Sequence, residues 1–563
     1  MKQSTIDEKK FSKLKRILLT LLTVVVITAA SGAIYKLCLD NNKNKSEQLY
    51  SAPVDAAFLC LPSQEVIDEV HKWVDDDLKE WQSFSKYEYP ISQYYGVHID
   101  NTDNLLYYID LIENKDDVDG LKDMISSFNE GFDSTINELK IREKEGIVPP
   151  DFIIDKVIKQ IDGFTPQKAE DNIVCRGLIK KVDSIKEIND SEKKIIIKDV
   201  ESQVKKFMYP SYNKLKKYLY TLRAKADSTP GVWKFKGGDE YYKYAIKHST
   251  TLAVTPEDIY DTGIKEVERL KGELQKEFKA IGYNGENPKE NIKLLNRDKN
   301  LLYGNSTEDK EKLLEDYRKI VNDAENKTSI LFDSKPLEGL RVEAMEDFAI
   351  QTGPQAYYLP SNQSGASEGT FSINLDKPTY KYDMKSIAYH ETIPGHHFQM
   401  ALHNEILGEK NSEPQYTSIQ AYIEGWALYG EKLADELKLY NDHYSRIGYL
   451  RGELLRAVRL VIDTGIHYKR WTRDEAIEYM KSAGCIPDEY LESEIDRYIV
   501  TPGDACSYKI GQLKILELRD KAKKELKDRF NIKEFHNIIL RNGPVPIPIM
   551  EDEVKKYIDA KKK

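Results

Sequence analysis

Cysteine is rare in this chain. Five occur among 563 residues (Cys38, Cys60, Cys175, Cys485 and Cys506), and none stands in a Cys-x-x-Cys spacing. The low, odd count excludes a disulfide framework as what holds the fold together, and the spacing excludes a cysteine zinc site or a redox dithiol. A basic stripe is also missing. The net charge of −10 is spread along the chain, which argues against a nucleic-acid partner. Alanine is scarce while lysine, tyrosine, isoleucine and asparagine are plentiful, a bias that reflects an AT-rich genome more than a function. There is no internal repeat.

Long uncharged runs are absent except for one. Residues 1–16 carry Lys2, Lys9, Lys10, Lys13, Lys15 and Arg16, and Ile17–Tyr35 then runs without a charge. A run of that length is about enough to cross roughly 30 Å of hydrocarbon as a helix, and the basic flank orients it with the N-terminus in the cytoplasm. The expectation is a cytoplasmic tail at 1–16, a single transmembrane helix at 17–37, a polar stalk at 38–55 and a bulk that works outside the cell. The alternative is a signal peptide cleaved near Ser31-Gly-Ala33, which would make the protein secreted. Leu37, not a small residue, precedes Cys38, which argues against a lipid-modified cysteine.

What remains is long enough for two to four domains or one large helical body. From about Ala56 to Arg223 apolar residues recur at three and four, as in Val66, Val70, Trp73, Val74 and Leu78. Pro149-Pro150 and Tyr209-Pro210 are read as helix ends. Thr255-Pro-Glu-Asp258 has the N-cap, first-turn proline and acids of a helix start, and that helix is expected to run to about Ile281. Gly369–Leu375 alternates like a strand, the best candidate for a small sheet beside a cleft and for an edge that pairs with an extended peptide. The fold class expected is mainly α, with an N-terminal helical half at 56–340 and a site-bearing half at 341–563.

The stretch SIAYHETIPGHHFQ, residues 386–399, holds three of the ten histidines and an acid beside the first. It begins like the zinc signature His-Glu-x-x-His, but Pro394-Gly395 stands where the second histidine belongs. In that signature the two imidazoles share a helix face and hold the metal, and the glutamate is the general base for the attacking water. His390 and Glu391 fit the first two roles. On a straight helix His397 returns to the face of His390, but about 10 Å along the axis. Pro394 removes an amide and Gly395 tolerates distortion, so the pair is expected to widen the turn and re-space the site. The second ligand is then His396 or His397; His396 is taken first, with His397 as the alternative.

A further ligand is expected from AYIEGWALYGEK, residues 421–432. Glu424, Ala427, Leu428 and Glu431 share a helical face, and two acids on a small apolar face call for a buried partner. Glu424 is assigned as metal ligand and Glu431 as the acid that orients a histidine. Gly425 and Gly430 would let a facing segment approach closely.

His-Glu-x-x-Pro-Gly-His-His followed by Glu-Gly-Trp-Ala-Leu-Tyr resembles the bacterial family known as domain of unknown function 885, which is grouped with the gluzincin metallopeptidases. Glu240-Tyr-Tyr, Thr250-Thr251, Thr255-Pro256, Asp463-Thr-Gly-Ile-His467 and Ser507-Tyr-Lys-Ile-Gly511 resemble further landmarks, so the likeness covers roughly residues 56–555. It implies a largely helical metallopeptidase-like fold, a Zn2+ ion and hydrolysis of a peptide substrate. Such an enzyme needs a donor aimed at the developing oxyanion. Tyr508 is the first candidate and Tyr498 the second. On the helix 450–466, Arg456, Arg459, Asp463 and His467 form a polar side. It is read either as a solvated stripe with an Arg459–Asp463 pair or as a cleft wall where His467 and an arginine hold a substrate carbonyl or carboxylate. The functional expectation is a membrane-anchored zinc peptidase. The alternatives are a non-catalytic ectodomain that binds peptides or cell-wall fragments, and a zinc hydrolase of a non-peptide amide.

Overall fold

The computed structural model describes residues 62–285, 287–345, 354–361, 368–407 and 419–563. The tail, the uncharged run and the stalk lie outside these residues. Among the described residues no helix is long and apolar enough to cross a membrane.

After α1 (Gln64–Phe84), residues Ser83–Pro230 with Lys234–Gly238 form one compact unit. It is built from α2 (Val97–Asp110), α3 (Lys115–Ser126), α4 (Asn129–Lys144), α5 (Asp151–Phe164), α6 (Ile173–Ser184), α7 (Asp190–Gln203) and α8 (Tyr209–Arg223). These are amphipathic helices of the ordinary kind. α5 starts directly after Pro150 and buries Ile153, Ile154, Val157, Ile158 and Ile161, one stripe at three-four spacing. Each such fully buried aliphatic side chain contributes about 1.5–3 kcal/mol relative to exposure. Tyr212 of α8 is buried against Phe128, Phe132 and Phe164, with ring centroids 5.1–5.6 Å away. Tyr209-Pro210 does not end a helix as expected. A π-helical turn, Val204–Met208, joins α7 to α8 with helical backbone on both sides, and Pro210 falls in the first turn of α8.

The other unit contains Asp239–Lys563, Gly231–Trp233 and the described residues up to Gln82. Residues 239–340, grouped from the sequence with the N-terminal half, thus pack with the site-bearing part. The unit has α9 (Gly238–Thr250), α10 (Pro256–Ala280), α11 (Pro288–Leu295), α12 (Thr307–Thr328), the strands β1 (Leu340–Ala344), β2 (Ala356–Leu359) and β3 (Gly369–Ile373), then α13 (Met384–Glu391), α14 (His396–Leu407), α15 (Gln420–Glu436), α16 (His443–His467), α17 (Arg473–Ala483), α18 (Leu491–Val500), α19 (Asp504–Leu526), α20 (Ile532–Leu540) and α21 (Ile547–Lys562). α10 begins as its sequence dictates. The Thr255 hydroxyl accepts from the Asp258 amide at 3.1 Å and the Asp258 carboxylate accepts from the Thr255 amide at 3.3 Å.

The sheet has the order β1-β3-β2, with β1 parallel and β2 antiparallel to β3. The strand expected at Gly369–Leu375 ends at Ile373 and is the central strand, buried at every position. It therefore has no free edge for a peptide; the outer edge nearest α13 is that of β2. Phe371 of β3 meets Tyr317 of α12 edge-on at 5.2 Å, and Met384 and Ala388 of α13 close the same core. This packing sets the sheet against the helix that carries His390.

Candidate metal centre

α13 ends at Glu391, and a new helix begins at His396. The expected widened turn is instead a full break. The Thr392 amide and hydroxyl both donate to the Ala388 carbonyl, at 2.9 and 2.6 Å, and close the first helix. The Ile393–Pro394 peptide is cis. A side chain at Gly395 would put its Cβ 1.9 Å from the His390 carbonyl oxygen, so only glycine lets the chain fold back this tightly on α13. The Trp426 indole donates to the Pro394 carbonyl at 2.9 Å and pins the connection to α15. A Cβ at Gly425 would lie 2.6 Å from the backbone of Gly511, so that glycine is what allows α15 and α19 to touch, and Gly430 abuts Pro394.

These approaches bring three side chains together. His390, His396 and Glu424 each offer a ligand atom, and the three atoms lie within 4.8 Å of one another. The Glu424 Oε2 is 3.4 Å from His390 Nε2 and 3.6 Å from His396 Nε2. Ligands at about 2.1 Å around a tetrahedral ion stand roughly 3.4 Å apart. Glu424 Oε2 is buried and has no hydrogen-bond partner, and the side chain is only 14% exposed. A carboxylate oxygen between two imidazole nitrogens, too distant for a good hydrogen bond and shielded from solvent, is a donor set of the size and chemistry that a tetrahedral metal ion requires.

The shell behind these groups is complete on the His390 side. Glu431, with no exposed side-chain surface, accepts from His390 Nδ1 at 3.0 Å and from the Ser386 hydroxyl. A buried carboxylate without such donors costs several kcal/mol. The bond fixes the His390 ring so that Nε2 faces Glu424. Burial pushes the His390 imidazolium down, but Glu424 and Glu431 outweigh it and raise the group to about 9. Glu424 goes the opposite way: burial pushes it up, and His396 and His390 hold it well below the usual carboxylate range.

Glu391 sits beside this cluster, half-buried, with its carboxyl pushed up by burial. One of its oxygens accepts from the Tyr358 amide of β2 at 2.9 Å. That amide points away from β3, so the base is held by the outer edge of the sheet. His397, the alternative ligand, is turned elsewhere: its Nδ1 lies 3.1 Å from the Tyr358 hydroxyl.

Tyr508 lies near the cluster. Its half-buried phenol is pushed up by burial and by the charge of Glu424, and Arg459 covers its ring at 4.7 Å. Tyr498 is fully committed elsewhere: its hydroxyl donates to Glu494 at 2.5 Å and accepts from Arg459 Nε at 3.0 Å. His467 does not line the site as expected. It is entirely buried, its Nδ1 accepts from the Val232 amide at 3.3 Å, and its Nε2 reaches the Tyr498 carbonyl at 2.9 Å. Both ring nitrogens bind backbone, so its role is to fasten α16 to α18. The Arg459–Asp463 pair is also absent. Arg459 pairs with Glu494 at 3.3 Å, and Asp463 accepts from Tyr242 and from the Gly503 amide at 2.6 and 3.0 Å.

One buried group escaped the sequence reading. Lys509, 1% exposed, binds Glu453 at 2.6 Å and Glu266 at 3.2 Å, and Gln512 ties Glu453 to the Leu428 carbonyl of α15. This network clamps the helix that presents Glu424. The only signal for it was Lys509 within the landmark Ser507–Gly511.

Fold and site together define a mainly α-helical protein with a buried His–His–Glu centre that two helix ends and a glycine-bearing helix converge to form. The chain belongs to the DUF885 family, described as bacterial proteins of unknown function, which matches residues 41–554. A crystal structure of a candidate lipoprotein from Colwellia psychrerythraea is similar, with 31% identity and a TM-score of 0.79 over 84% of this chain and 81% of that one. A candidate lipoprotein of unknown function from Shewanella oneidensis shares the fold, with 17% identity and a TM-score of 0.62 over 86% of each chain. No curated protein matches the sequence.

Proposed function

We propose that the chain is a zinc-dependent hydrolase of peptide bonds that works outside the cytoplasm. The observation that carries this reading is Glu424 Oε2, buried without a hydrogen-bond partner between His390 Nε2 and His396 Nε2. Zinc, when bound by His390, His396 and Glu424, supplies Lewis acidity for the scissile carbonyl and acidity for the attacking water. Glu431 holds the His390 ring, and Glu391, steadied by the Tyr358 amide, takes the proton of the attacking water and returns it to the leaving amine. The Tyr508 hydroxyl donates to the developing oxyanion. The outer edge of β2, already aimed at Glu391, pairs with the backbone of an extended substrate. The gluzincin grouping suggested by the motif supports the same chemistry. An extracytoplasmic location follows from the basic flank and the uncharged run Ile17–Tyr35, and it suits relatives described as candidate lipoproteins.

The test is elemental analysis of the full-length chain together with a peptide-hydrolysis screen. About one zinc per chain, lost in His390→Ala and Glu424→Ala, with hydrolysis lost in Glu391→Gln, is the expected result. Full activity in Glu391→Gln would sink the mechanism. Retained peptide binding without hydrolysis in the metal-loaded protein would favour a binding ectodomain.

A further inference from the structure

Four arginines lie on α16, and three have acidic partners. Arg446 binds Asp435 at 3.1 Å, Arg451 binds Asp383 at 2.7 Å, and Arg459 binds Glu494 at 3.3 Å. Arg456 has none among the described residues. Its Nη1 donates only to the Gly452 carbonyl of its own helix, at 3.2 Å, and its Nε is buried without any partner. The side chain is half-buried, so its charge is partly stripped of water and not returned to a carboxylate.

Its position is what gives this significance. A Cβ at Gly452 would lie 3.1 Å from Arg456 Nη1, 3.2 Å from Ser386 Oγ and 3.9 Å from Glu431 Oε2. The guanidinium therefore lies near Glu431, which holds His390, and near Ser386, which donates to Glu431. The terminal N–H groups that Gly452 does not use form the end of a guanidinium fork, and two parallel N–H donors are the geometry that matches a planar two-oxygen anion.

We propose that Arg456 recognises a carboxylate of the substrate. The inference rests on the peptidase reading and narrows it to peptides that carry a carboxylate close to the scissile bond. That carboxylate has two sources, the C-terminus of the peptide or an Asp or Glu side chain. The first source makes the enzyme a carboxypeptidase; the second makes it selective for acidic residues. Arg456 holds the anion through its fork, and the bound carboxylate fixes the scissile carbonyl against the cluster. Arg459 does not compete for this role, because Glu494 and Tyr498 occupy its donors.

The test uses the full-length, metal-loaded chain carrying Glu391→Gln, so that binding is read without turnover. Matched acetylated peptides are compared as C-terminal acid and C-terminal amide, and as Asp or Glu against Asn or Gln near the scissile bond. The expected result is at least a ten-fold preference for the carboxylate form in one of the two comparisons. Arg456→Met should bring that ratio to about one, and Arg456→Lys should leave it intermediate, with metal content retained in both. Equal binding of all matched pairs would overturn the role of Arg456 while leaving the peptidase reading in place if the parent chain hydrolyses peptides. Loss of metal in Arg456→Met with an unchanged acid-to-amide ratio would overturn it too, and would make Arg456 a counter-charge for Glu431. A metal-loaded chain that neither binds nor cleaves any peptide would overturn both readings.

Discussion

Two buried histidines, one in each compact unit, behave in opposite ways. His98 of α2 is fully buried, bonds Gln160 through Nε2 at 3.2 Å and has no partner at Nδ1. Burial lowers it to about 4, against the opposing bond from Gln160. His390 of α13 is almost as deeply buried at 6% exposure, yet it is raised to about 9 because Glu424 and Glu431 flank it. A helical core that needs an imidazole only for packing keeps it neutral. A core that surrounds an imidazole with two carboxylates has an environment made for a cation. The contrast separates a unit whose interior is explained by packing from one whose interior also contains a centre of charge.

The largest expected effect that sharpens this contrast is loss of metal. His390→Ala and Glu424→Ala should each take bound zinc from about one per chain to near zero, whereas His98→Ala should leave the metal content at the parent level. Next, Glu391→Gln should lower kcat by about 10²–10⁴-fold without changing the metal content, as steady-state kinetics beside elemental analysis would register. Third is the pH response of His98. Its folded-state value lies below the ordinary 6.5, so the unfolded chain takes up the proton first. Stability should fall as pH drops from about 6.5 to about 4, by on the order of 2–3 kcal/mol, and level off below that. Urea midpoints measured across this range should lose that component of the slope in His98→Gln; an unchanged slope would remove His98 from the account.

Two smaller effects probe the supports of the centre. Glu431→Gln should weaken metal affinity about 10–100-fold, since it is the acid that orients the His390 ring. A competition assay with a chelator would measure it, and an unaltered affinity would mean that packing alone orients the ring. Trp426→Phe removes the donor to the Pro394 carbonyl and should reduce stability by about 1 kcal/mol, visible as a lower denaturation midpoint.

Much of the site was legible from local spacing. His390, Glu391, Glu424 and Glu431 occupy the places that helical periodicity assigned them, because neighbours on one helix face are set by backbone geometry alone. The N-cap at Thr255 and the start of α5 after Pro150 were legible for the same reason. His467 was not. The polar side of α16 could equally have faced a cleft, and the groups that consume its two nitrogens lie 235 and 31 residues away. The placement of Gly369–Ile373 in the centre of the sheet likewise depended on two partner strands that no local pattern names.

The sequence by itself thus determined a mainly helical chain, the helix that bears the first ligand and its base, and the helix face that bears the two acids. These are consequences of periodicity, capping and the chemistry of neighbouring side chains. Tertiary structure alone decided that the chain breaks at Thr392–Gly395, that His396 and not His397 turns toward Glu424, and that Arg456 comes near Glu431 while forming no ion pair among the described residues. Each of those depends on how closely separate segments approach, and close approach is governed by packing across the whole unit.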